Sequence, residues 1–179
     1  MHGKKLSQFL IDHIKWLSGN DRPGPYRDCV VAILLLKHII DRHEHECDML
    51  VSSYVSEGHE ENEAIRLAAV NCDRAINPIL PKDITWPAVI GIKEGLCHRL
   101  NSYAHQIEEF NPAYRGMISY VDFSIIKEEQ LDNLVHRFSY FNLGLRDFDD
   151  GETLDSCYLR LLAYFPNEVS GGNYYYARL

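Results

Sequence analysis

From Tyr26 to Leu50 the chain runs without a single proline or glycine. A stretch that long is far beyond the length of a strand and reads as a helix. Its first half, to Ile40, is apolar on nearly every side, which in a helix means burial all round. Its second half, Asp41-Arg42-His43-Glu44-His45-Glu46, is polar and is expected to emerge into solvent. The longest apolar run, Cys29 to Leu36, is too short for a bilayer, which needs about 20 residues. Leu6 to Leu17 carries Asp12, His13 and Lys15, so it is not a secretory leader. No membrane contact and a cytoplasmic location are expected.

The remaining pattern is helical as well. Leu6, Leu10, Ile14 and Leu17 recur at helical spacing, and Gly19-Asn20 closes that segment. Arg22-Pro23-Gly24-Pro25 reads as a loop. Glu60 to Asn71 reads as a shorter amphipathic helix. Thr85 or Asp83 is positioned to cap a helix with Pro87 in its first turn. From there Val89, Ile92, Leu96, Leu100, Tyr103, Ile107 and Phe110 form one apolar stripe, ended by Asn111-Pro112. Lys127 to Phe141 and a last segment capped by Thr153 and stopped by Pro166 complete the set. Residues 117–121 are the one candidate for a short β piece. The expected fold is all-α, an irregular multi-helix bundle, with residues 1–169 as one helical domain and 170–179 as a tail.

The formal charge is −8. Binding to nucleic acid relies on a basic surface that displaces counterions, so such contact would need a local patch. Lys4, Lys5, Arg22, Arg27 and Arg178 are the candidates. Five cysteines, Cys29, Cys47, Cys72, Cys97 and Cys157, are scattered without a CxxC pair, which predicts reduced thiols that mostly fill the core. In His43-Glu44-His45-Glu46-Cys47, only His43 and Cys47 share a helix face, while His45 points elsewhere. A closed zinc site needs four convergent ligands, so a solvated helix end is the expectation. His98 and His105 lie two turns apart with no third partner near in sequence. The pairs Glu108-Glu109 and Asp149-Asp150 read as solvated. No nucleophile motif and no phosphate-binding glycine loop is present, so neither a catalytic residue nor a metal ligand is assigned. Asn111-Pro112-Ala113-Tyr114 differs from the Asn/Asp-Pro-Pro-aromatic motif of amino methyltransferases and reads as a helix terminator.

Taken in order, several pieces resemble the N-terminal helical domain of the modification (methyltransferase) subunit of type I restriction–modification systems. Leu17-Ser18-Gly19, Tyr26-Arg27 and Val30 to Asp41 are similar to the family's first signature, with Ser18 where the family has Arg. Thr85-Trp86, then Glu109-Phe110-Asn111-Pro112 and Gly116, resemble its Trp-helix-Glu-Asn-Pro-x-x-x-Gly stretch. Phe138 to Leu143, with Asp147 to Gly151, Leu154 and Tyr158 to Phe165, resemble the segment that leads to the catalytic domain. Gly171-Gly172-Asn173-Tyr174-Tyr175-Tyr176-Ala177-Arg178 is similar to Gly-Gly-x-Phe-Tyr-Thr-Pro-Arg, with Tyr176-Ala177 in place of Thr-Pro.

The resemblance implies a subunit of an adenine-specific DNA methyltransferase that uses S-adenosylmethionine. Its partners would be a specificity subunit and other modification and restriction subunits, with DNA reached through the complex. Gly171, Gly172, Tyr174, Tyr175 and Arg178 would correspond to the segment bordering the methyl-donor site. The 179 residues hold no aromatic-x-Gly-x-Gly methyl-donor loop, so the chain is expected to bind no cofactor and to transfer no methyl group by itself. The tail would lead toward a methyltransferase domain. Two other readings stand beside this one. The first is a free-standing interaction protein that modulates the modification complex. The second is an independent helical DNA-binding protein.

Overall fold

The computed structural model describes residues 5–75, 78–144 and 153–165, with the side chains of 73–75 left aside. Seven α-helices appear in chain order: α1 Leu6–Ser18, α2 Pro23–Ser56, α3 Glu61–Ala75, α4 Trp86–Ile90, α5 Leu96–Phe110, α6 Glu128–Phe138 and α7 Leu154–Tyr164. Two 3-10 turns, Pro112–Tyr114 and Phe123–Ile125, lie between α5 and α6. No strand occurs among the described residues, so the fold is all-α.

The long helix expected from Tyr26 to Leu50 is present and extends further at both ends. At 34 residues, α2 is about 51 Å long at 1.5 Å per residue. It starts at Pro23, not after Pro25. Both prolines sit in the first turn, where the missing N–H groups would have no intrahelical partner. Cys29 to Leu36, with Ile39 and Ile40, is buried on every side. The main core gathers around it from α1, α4, α5, α6 and α7. α7 is held on α1 by Arg160, whose guanidinium donates to Ser7 Oγ at 3.1 Å, and by the Lys15 ammonium 4.5 Å from the Tyr164 ring centre. Thr153 and Ser156 form a reciprocal capping box at the start of α7.

α3 stands apart from this core. Its inward positions Ala64, Ala68 and Cys72 recur every four residues and are all small, so its backbone lies close on the outer half of α2. That contact is its one extensive one among the described residues. Asn71 Nδ2 donates to Tyr54 Oη at 2.8 Å and fixes its register.

The expected single helix from Thr85 to Phe110 is broken in two. Thr85 caps α4 as predicted, its Oγ1 accepting from the Ala88 N–H at 3.2 Å. The chain then leaves the helix at Gly91, and α5 restarts after Gly95, which is left-handed at φ 69°. The apolar stripe continues through the break, so periodicity alone could not reveal it. The new N-terminus is capped from α6, where Glu128 accepts the Leu96 N–H at 2.7 Å.

Residues 117–121 form no β piece, because their amides are already taken. Glu108 is buried at the end of α5 and accepts from Gly116 N, Ile118 N, Ser119 N and Ser119 Oγ at 2.6 to 2.8 Å. Gly116, at φ 76°, lets the chain curl around that carboxylate. Glu108 is therefore not a solvated member of a carboxylate pair, whereas Glu109 is exposed. Burial opposes its charge, yet the Ser119, Gly116 and Ile118 donors hold its carboxyl below the ordinary range. A folded-state pKa depressed in this way gives stability that is present above about pH 4.5 and is lost as pH falls through the folded value. Glu108→Gln is expected to cost about 2–3 kcal/mol at pH 7. In urea melts from pH 7 to 3, the gap between wild type and variant should narrow with acid. A gap that is constant with pH would contradict this role.

Candidate functional site

Three segments far apart in sequence meet beside the middle of α2. Lys37 and Asp41 are i, i+4 neighbours whose side chains are each 6% exposed, and the Lys37 ammonium pairs with both Asp41 oxygens. The same ammonium lies 5.1 Å from the Trp86 ring centre in α4, in reach of the ring quadrupole. Trp86 is buried, and its indole N–H donates to Ser139 Oγ at 3.0 Å just beyond α6. Asp41 Oδ2 also accepts the Leu143 N–H at 2.7 Å. His38, one turn earlier, donates its Nδ1–H to the Leu143 carbonyl. Both polar groups of the Leu143 backbone are thus held by α2.

Gly144 follows, and its backbone passes directly against α2. A Cβ there would meet the Asp41 carbonyl oxygen at 2.5 Å and its carbon at 2.9 Å. Neither neighbour is a side chain that can swing aside. Gly144→Ala is therefore expected to cost about 1–3 kcal/mol through forced separation of the two backbones. A denaturant midpoint equal to wild type would show that the contact is not tight.

Beside this joint an open cleft of about 370 Å³ is lined by Lys37, Asp41, Glu44, His45, Ser139 and Asn142. Glu44 is held above the usual carboxylate range, first by partial loss of solvent and then by the neighbouring Asp41 charge. His38 is pushed below the ordinary histidine range by burial, so it stays neutral at pH 7. Its two most buried charges, Lys37 and Asp41, neutralise each other.

Two free thiols, Cys29 and Cys97, are poor nucleophiles. Burial pushes Cys29 up to about 12, and Cys97 is raised for the same reason. Asn111 is fully engaged: Oδ1 accepts from Ile79 N, and Nδ2 donates to the carbonyls of Ile79 and Ile107, each at 2.7 Å. Its amide ties the loop before α4 to the end of α5, in keeping with a helix terminator. His98 and His105 are both exposed on the solvent side of α5.

The cation candidates fare differently from one another. Lys5 and Arg22 are exposed at the starts of α1 and α2. Arg27 is 2% exposed and pairs with Asp28 at 3.1 Å, among the tyrosines Tyr120 and Tyr158. The Arg27 guanidinium is thus held inside the core and not on the surface. Lys4 and Arg178 lie outside the described residues, as do Gly171, Gly172, Tyr174 and Tyr175.

The outer half of α2 departs from the solvated end expected of it. Cys47 and Cys72 are joined by a disulfide, with Cα atoms 5.8 Å apart. His43 Nδ1 lies 3.7 Å from Cys47 Sγ. The three donor atoms lie within 4.8 Å of one another. His45 points away, as its spacing requires, and lines the cleft instead. What sequence reasoning missed was Cys72, which α3 folds back onto the His43–Cys47 face.

No family model, curated protein or solved structure matches the chain.

Proposed function

We propose that these residues form the N-terminal helical domain of a type I modification subunit. It would serve as an assembly module for an adenine-specific, S-adenosylmethionine-dependent DNA methyltransferase. The observation that carries this reading is the joint at α2. The three segments that resemble the family's signatures supply Lys37 and Asp41, then Trp86, then Ser139 and Leu143, and these contact one another directly. Their likeness to the family therefore falls on residues with a shared structural task. Its partners would be a specificity subunit and the other modification and restriction subunits. The setting would be the cytoplasm; no described helix is long and apolar enough to cross a membrane.

On this reading the 179 residues bring no methyl-donor loop and transfer no methyl group alone. Incubated with unmethylated duplex DNA and S-adenosylmethionine carrying a labelled methyl group, the pure chain should incorporate no label above background. Incorporation by the pure chain would refute the reading.

A second reading, a free-standing interaction protein, is favoured by the net charge of −8, which suits protein contacts better than phosphate contacts. Binding to an already complete modification complex, without replacing one of its subunits, would select it. Independent DNA binding would appear as salt-sensitive retardation of duplex DNA, and burial of Arg27 leaves it fewer cations to work with.

A further inference from the structure

We propose that His43, Cys47 and Cys72 form a metal site in the reduced chain, taking one thiophilic divalent cation of the zinc type. The inference is independent of the chain's partners. It begins with placement: His43 and Cys47 stand one turn apart on α2, and Cys72 reaches the same spot from α3. Two thiolates and an imidazole are the donor set that borderline-soft cations prefer over calcium or magnesium.

The geometry fits as well. With Zn–N of about 2.0 Å and Zn–S of about 2.3 Å in a tetrahedron, nitrogen and sulfur on one ion lie about 3.5 Å apart. His43 Nδ1 and Cys47 Sγ are 3.7 Å apart. Cys72 is buried, while His43 and Cys47 are partly exposed, so water can fill the fourth position. The Asn71–Tyr54 hydrogen bond holds α3 in register next to Cys72.

The chemistry balances in two steps. Two equivalents of an external thiol reduce the Cys47–Cys72 bond, yielding two protein thiols and one thiol-derived disulfide. One divalent cation then displaces the two thiol protons and binds both sulfurs and the neutral imidazole nitrogen. In reverse, the thiol-derived disulfide takes two electrons from the bound thiolates, picks up two protons to give two external thiols, restores the Cys47–Cys72 bond and releases the ion.

The test uses the full chain, reduced with a phosphine, stripped of metal and titrated with Co²⁺ and then Zn²⁺ without oxygen. One Co²⁺ per chain should bind, with a thiolate-to-cobalt charge-transfer band and the strong visible bands of a tetrahedral site. Zn²⁺ should displace it, and about two protons should be released per ion bound. His43→Gln should weaken binding at least about tenfold, Cys72→Ser should abolish it, and His45→Gln should leave it unchanged. The oxidised chain should bind none. The wild-type titration decides the matter even if a variant folds poorly. No uptake by the reduced wild type, with simple return of the cross-link, would mark a structural disulfide and overturn the proposal. Uptake that survives loss of both Cys47 and Cys72 would overturn it as well.

Discussion

Asp41→Ala is expected to destabilise the chain by about 3–5 kcal/mol, the cost of stranding a buried charge. The Lys37 ammonium has its side chain 6% exposed and would lose both oxygens that neutralise it. It would have to shed its proton or draw in water, and both cost free energy. The Leu143 N–H would lose its acceptor at the same time. Asp41→Asn keeps an oxygen for Leu143 but not the charge for Lys37, so it should recover only the smaller part. The double change Lys37→Met, Asp41→Leu removes both charges and should be milder than Asp41→Ala, since an apolar pair of similar size is often neutral. Urea unfolding monitored by tryptophan fluorescence and by circular dichroism would give all three values. A loss below about 1 kcal/mol for Asp41→Ala would mean that the pair is solvated and the joint is not a core element.

Reduction of Cys47–Cys72 without metal is expected to cost up to about 3.5 kcal/mol, from the loop entropy that a link across 25 residues removes from the unfolded chain. The loss should be local. α3 contributes Ala64, Ala68 and Cys72 to its contact with α2 and adds nothing to the main core. Amide hydrogen exchange in α3 should accelerate by roughly two orders of magnitude, while α1, α5 and the first half of α2 keep their protection. Zinc added to the reduced chain should restore protection in α3 if the cation site forms. Acceleration spread evenly over all helices would contradict the separate placement of α3.

The central helix, the caps at Thr85 and Thr153 and the apolar faces of α1 and α6 were legible because each rests on local spacing or one local hydrogen bond. What escaped the sequence was decided at long range. The break after Ile90 is invisible to periodicity, since the stripe runs on through Gly91 to Gly95 and the new helix is capped by Glu128 from another element. Glu108 looked like half of an exposed carboxylate pair, and only the return of residues 116–119 shows where four donors go. Arg27 looked like a surface cation until Asp28 and the surrounding packing were seen to hold it inside. In the candidate sites, the adjacency of His43 and Cys47 could be read from a spacing of four. Cys72 could not, because its arrival depends on how α3 folds back. Gly144 had a faint signal as a lone glycine after an apolar residue, but only the passing α2 backbone explains it.

The most direct test of the assembly role is analytical size exclusion of the pure chain mixed with the specificity subunit and the catalytic domain of a type I modification enzyme from the same cell. One co-eluting complex is expected at micromolar concentrations, and its loss with Asp41→Ala. Separate elution of all components by the wild-type chain, at every concentration and salt tried, would contradict it.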